Sequence, residues 1–187
     1  MHASVAFVRR HRPQRELAMR AVVFASPSVA VLLWLGMAGP AVALDGWSRS
    51  VDGGTTFFAC RSRACGRDAV ISCRVVGGNA VTSTEQYTAR VRSQIEALRG
   101  AGRQVEAGET SRSVLGDRVL FQAAYFVRVP GGPRGEQFRS GFLVGPTETF
   151  SIVSSSADAK TTRGNFDRFV ARLASRPSAE SVAECLP

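Results

Sequence analysis

Apolar and polar positions follow two periods along this chain. TTFFAC and AVISCRVV, within Thr55–Val76, alternate with period two, the pattern of half-buried strands. RSRACGRD joins them as a loop. In the second run Ala69, Ile71, Cys73 and Val75 share one face, and that face is expected to meet the core. The period then changes. In TSTEQYTARVRSQIEALRGAG, Tyr87, Val91, Ile95 and Leu98 recur at steps of four, four and three, one face of a helix. Thr82 and Glu85 have the spacing of a capping box, and Gly100 and Gly102 read as its C-terminal stop.

Alternation returns downstream. RQVEAGETSRSV predicts one short strand, LGDR a turn and DRVLFQAAYFVRV a long strand. PGGPRGE, Pro130 to Glu136, is a tight connection rich in turn formers. EQFRSGFLVG and ETFSIVSSS predict two further strands, with Phe150 and Ile152 facing the core. Phe166, Phe169, Val170 and Leu173 then have helical spacing, and Gly164 and Asn165 are expected to mark that helix's start or a kink. The order is β-β-α-β-β-β-β-α. Successive strands joined by short turns give an antiparallel sheet. Two amphipathic helices covering it make an α+β layered domain. The tail RPSAESVAECLP is polar and irregular, expected to be pinned by Cys185.

The first 43 residues follow neither period. Arg9, Arg10, Arg12, Arg15 and Arg20 face one acid, Glu16; residues 21–40 are uncharged; AVA closes the run at Ala43. This is the build of a secretory signal peptide, with Met19 as an alternative start. Pro27, Gly36, Gly39 and Pro40 interrupt the apolar run and favour a cleaved leader over a membrane anchor. Residues 44–187 are then a single exported domain, periplasmic or secreted. Nothing later in the sequence is long and apolar enough to span a bilayer.

Removing the leader takes away five arginines and one glutamate, so the formal charge falls from +9 to +5. All remaining basic residues are arginine except Lys160. Arg61, Arg63 and Arg67 form the densest group, with Arg74 close behind, and are candidates for binding an anion through guanidinium pairs. Interleaved aromatics, which nucleic-acid grooves use, are absent there, so no specific nucleic-acid partner is expected. The expected partner is a protein or an anionic envelope component.

His2 and His11, the chain's two histidines, both lie in the leader. The domain therefore lacks Ser-His-Asp and Cys-His machinery and any mixed Cys/His metal site. Asp117, Glu136, Glu148, Asp158 and Asp167 show no dyad spacing, and the serines of SIVSSSAD have no base beside them in sequence. No catalytic residue, metal or cofactor is assigned.

The four cysteines are Cys60, Cys65, Cys73 and Cys185. Their gaps do not form the paired CxxC knuckles of a zinc site. In an exported chain they read as disulfides. Strand phase favours Cys60–Cys65 across the hairpin loop and Cys73–Cys185 tying down the tail. Cys60–Cys73 with Cys65–Cys185 is the rival pairing. The chain-entropy model gives the short bridge about 2 kcal/mol and the long one about 5 kcal/mol. A redox role for Cys60 and Cys65 is the alternative, since the surrounding arginines would stabilise a thiolate.

The order of elements resembles the PsbP-like α/β fold. The resemblance rests on FFAC and AVISCRVV before the helix YTARVRSQIEAL, then YFVRV, GFLVG and TFSIVSSS, then the closing helix NFDRFVARLA. It implies an accessory or binding protein rather than an enzyme and carries over no functional residue. The combined expectation is an exported, non-enzymatic binding domain.

Overall fold

The computed structural model describes residues 46–77, 80–132, 134–176 and 185. The leader, its cleavage point at Ala43 and tail residues 177–184, 186 and 187 lie outside the described residues, as does Pro133 of the Pro130–Glu136 connection.

Seven antiparallel strands form one sheet. They are β1 (Trp47–Asp52), β2 (Thr55–Cys60), β3 (Val70–Val76), β4 (Gln104–Leu115), β5 (Arg118–Arg128), β6 (Gly135–Val144) and β7 (Thr149–Ser156). Among the described residues two helices, α1 (Thr84–Gly100) and α2 (Ala159–Ala174), accompany it. The strand order across the sheet is β1-β2-β3-β7-β6-β5-β4. The expected sequence of strands and helices is present, with one further strand, β1, at its head. WSRSVD carries little apolar alternation. It becomes a strand because Gly53 and Gly54, at φ +55° and +76°, turn it back onto β2, a conformation that suits glycine.

The helices cover opposite faces. Phe58, Ile71, Leu120, Leu143, Phe150 and Ile152 pack under Phe166, Phe169, Val170 and Leu173 of α2. On the other face Phe121, Ala123 and Tyr125 pack under Tyr87, Val91, Ile95 and Leu98 of α1. α1 lies over β4 and β5, whereas α2 lies over β6 and β7. The alternation of β5, with Leu120 to one side and Phe121 to the other, feeds both cores.

Three local readings shift. The N-cap of α1 is Ser83, which accepts from the Gln86 amide; Gln86 Oε1 accepts in turn from Thr82 N–H at 3.0 Å and Thr82 Oγ1 at 2.9 Å. The cap thus sits one residue beyond the Thr82/Glu85 pair, and the Gln86 side chain reaches back past Ser83 to Thr82. At the other end Gly102, φ +76°, lets Gly102 N–H reach Arg99 O and Arg103 N–H reach Leu98 O, a Schellman closure. α2 runs unbroken through Gly164 and begins earlier than expected. Asp158 caps it by accepting from Thr161 N–H at 2.7 Å, and Thr162 and Asn165 are buried within it.

The third shift is β4. It has twelve residues rather than being short, because a bulge absorbs the polar Gly108–Glu109. Ala107 is paired with Tyr125 and Thr110 with Ala123, so Gly108 and Glu109 stand opposite the single residue Ala124 and β4 carries one extra residue. A Cβ on Gly108 would lie 3.0 Å from the Ala124 carbonyl oxygen, which is why the position is glycine.

Candidate functional site

Cys60 is bonded to Cys65 and Cys73 to Cys185. The first bridge closes the loop between β2 and β3. Cys60 N–H donates to Ala69 O at 2.8 Å and Ala69 N–H to Gly66 O at 3.1 Å. Gly66, at φ +83°, lies against Thr161, so the loop is seated on the first turn of α2. Asn165 Nδ2 donates to Cys65 O at 2.8 Å and holds it there.

Arg61, Arg63 and Arg67 all point outward from this loop and are exposed; Arg61 Nε donates to Ser48 Oγ at 2.9 Å. Lys160 and Arg163 are exposed on the neighbouring start of α2, so this end of the domain is basic. Arg74 is not part of it. It stands four residues beyond Val70 on β3, about 13 Å away at the rise of a strand, on the α1 face and paired with Ser151. The four arginines therefore form a group of three and a separate one. The redox reading meets an obstacle. Cys60 and Cys65 are only 7% and 4% exposed, and thiol exchange requires a thiolate to reach a sulfur.

The carboxylates are engaged structurally. Glu148 Oε1 accepts from Arg118 Nη2 at 3.0 Å, with both side chains buried. Asp158 is the α2 cap, and the hydrogen bond from Thr161 N–H holds its carboxyl below the usual range. Asp167 lies 3.5 Å from Arg163 and 3.9 Å from Arg139. Among the described residues no cluster of three or more His, Cys, Asp or Glu side chains is arranged to hold a metal ion.

The tyrosines are buried. Tyr87 OH donates to Ser140 O at 2.9 Å, and Tyr125 OH accepts from Gln94 Nε2 at 3.1 Å. Burial pushes both phenols upward, Tyr125 to about 12, so both are neutral and serve packing.

A concave feature lies between α1 and β4, in a groove of about 460 Å³. Val91 and Ile95 of α1 and Ala107 of β4 give it an apolar floor. Arg92, Glu96 and Arg99 stand along the helix side, and Glu109 stands opposite on the bulge. The hydrogen bond between the Thr88 and Thr110 hydroxyls, 2.9 Å, marks one end; at the other, Arg99 Nη2 donates to Val105 O at 3.0 Å. Its size is that of a small-ligand or peptide-side-chain site. It lies beside the bulge, where Gly108 and Glu109 interrupt the regular pairing of β4 with β5. The sequence carried one sign of it, the isolated Gly108 inside an alternating run.

β4 is also an outer strand of the sheet. Among the described residues it is paired only with β5, so one row of its main-chain groups faces outward. Groove and open edge run side by side, a combination that can accept an extended chain.

No protein-family model matches the chain, and no relative is found among curated proteins. Solved structures are similar to it. Cyanobacterial PsbP from Synechocystis sp. PCC 6803 superposes with a TM-score of 0.45 at 15% identity, over 71% of this chain and 94% of that one. A protein of unknown function from Pseudomonas aeruginosa, PA94, superposes with a TM-score of 0.50 at 13% identity, over 69% of this chain and 88% of that one. The resemblance to the PsbP-like fold is thus met, weakly and at the level of fold.

Proposed function

We propose that the protein is an exported, disulfide-locked accessory domain that binds another protein of the cell envelope, taking an extended segment of it into the groove between α1 and β4. Two disulfides suit an oxidising compartment, and the signal-like leader suits export. The observation that carries the binding mode is the pairing of an apolar-floored groove with an outer strand. Main-chain groups on the β4 edge would hold the segment, and Val91, Ile95 and Ala107 would receive its alternate side chains. Arg92 and Arg99 opposite Glu109 would set its direction.

The test uses the oxidised protein as bait in an envelope extract, beside Ala107→Arg and Thr110→Arg variants that fill the groove. A partner recovered reproducibly by the wild type, lost from both variants and protecting β4 amides from hydrogen exchange supports the reading. A partner retained by both variants, or none at all, removes it.

A second reading rests on the basic end formed by Arg61, Arg63 and Arg67 beside Lys160. It predicts binding to phosphatidylglycerol vesicles that persists at 0.15 M salt, where the screening length is about 8 Å, and is lost in an Arg61→Glu/Arg63→Glu/Arg67→Glu variant.

A further inference from the structure

Among the described residues, the offset of the two helices leaves half of one sheet face without a helix over it. α1 lies over β4 and β5. On the same face β7, β3, β2 and β1 therefore carry no helix among the described residues. Cross-strand pairing lays out the surface of this bare half. Phe57 pairs with Ser72 and Ser72 with Val153; Ala59 pairs with Val70 and Val70 with Ser155. Phe57, Ala59, Val70 and Val153 are half-buried and belong to neither helix-covered core.

The charges on this floor are asymmetric. Arg74 is exposed and pairs across the sheet with Ser151, which pairs with Phe142. Over Phe142 stands Arg90 of α1, its guanidinium carbon 5.7 Å from the ring centroid. The row thus runs arginine, serine, aromatic, arginine. On this side of α1 the acids of the strands, Asp52 and Glu136, sit at the corners, in β1 and at the start of β6. Among the described residues the strands and the flank of α1 present Arg74 and Arg90 between those corners, and Arg61 reaches the edge of the face at Ser48 Oγ, 2.9 Å.

Shape narrows the occupant. The bare strands span three inter-strand gaps, about 14 Å. One wall is α1, which rises about 10 Å above the sheet. A bilayer, flat over that distance, would meet α1 before the floor. A helix about 10 Å across fits the width and the recess. The geometry points to a docking face for an amphipathic helix of a partner protein, lying beside α1. Its apolar stripe rests on Phe57, Val70 and Val153, and acidic side chains on its flank meet Arg74 and Arg90.

The probe is a synthetic 18-residue amphipathic helix with a leucine stripe and glutamate flanks, together with a twin carrying lysine for every glutamate. Both are titrated into the oxidised protein by NMR. The acidic peptide binds at least about tenfold more tightly than the lysine twin, and its shifts centre on Val70, Ser72 and Val153. The Arg74→Glu/Arg90→Glu variant, altered at two exposed positions, reverses the preference. Equal affinity for both peptides, no binding, or shifts centred on the α1–β4 groove overturns the inference. So does competition by phosphatidylglycerol vesicles with the peptide for the same floor residues. Self-association abolished by Val153→Glu would overturn it too, since the occupant would then be a second copy. This face is on the opposite flank of α1 from the proposed groove, so either can fail without the other.

Discussion

The Asn165 side-chain amide donates a 2.8 Å hydrogen bond to the Cys65 carbonyl, across 100 residues of sequence. Asn165 is 2% exposed and Cys65 4%, so both partners are out of water. The bond fastens the basic loop onto α2, and the loop's own backbone bonds do not replace it. Asn165→Leu leaves a buried carbonyl unpaired, which costs about 1–3 kcal/mol. Chemical denaturation should show that loss, with faster hydrogen exchange concentrated in residues 61–69. Unchanged stability and exchange would mean the loop is held by its disulfide alone.

The two bridges should contribute unequally. Cys60–Cys65 spans five residues and Cys73–Cys185 spans 112. In the chain-entropy model the shorter loop is worth about 2 kcal/mol and the longer about 5 kcal/mol. The longer bridge also joins the core under α2, where Cys73 and Cys185 are 1% and 2% exposed. Cys73→Ser/Cys185→Ser should therefore lower stability more than Cys60→Ser/Cys65→Ser, measured by urea unfolding of each variant. The reverse order would show that the short bridge carries the fold.

Arg118 and Glu148 form a buried pair where the β4–β5 and β6–β7 turns meet. The arginine is 1% exposed, its Nη2 reaches Glu148 Oε1 at 3.0 Å, and its guanidinium carbon is 5.6 Å from the Phe150 ring centroid. Removing Glu148 leaves the buried guanidinium with only the exposed Asp117, 4.0 Å from Arg118 Nε, so Glu148→Leu should cost up to about 3–5 kcal/mol. Arg118→Met/Glu148→Leu restores charge balance and should recover most of that loss. A double-mutant cycle in denaturant measures both. Additive losses would show that the two charges are not coupled.

Features that burial selects are legible in the sequence. Periodicity alone places Tyr87, Val91, Ile95 and Leu98 on one helix face, and Phe150 and Ile152 in the core, because burial selects residue type position by position. The β1 strand leaves no such trace: an edge strand with solvent on much of its surface can read WSRSVD. The groove is poorly legible for another reason. It lies beside a bulge of one extra residue whose sign is one glycine, and its width is set by how α1 packs over β4. The offset of α1 from α2, which among the described residues leaves half a sheet face without a helix, is a property of packing. Arg74 appears close to Arg67 in sequence, yet a strand carries it to a different surface.

The buried phenols make stability fall at high pH. Tyr125 is raised from 10.0 to about 12, and Tyr87 is raised further in the same direction, burial being the leading cause for both. A group with a raised folded pKa contributes stability that is fully present below the unfolded value, here 10.0. As pH climbs past that value the unfolded chain releases protons that the folded chain keeps, and folding stability declines. For Tyr125 the decline runs from pH 10 to about 12; for Tyr87 it continues beyond. Denaturant midpoints followed from pH 8 to 11.5 should be flat at first and then drop. Tyr125→Phe keeps the ring stacked on Phe138, whose centroid is 5.3 Å away, while removing the proton, so its curve should fall less steeply. A slope identical to wild type would mean that Tyr125 ionises as readily in the fold as in water.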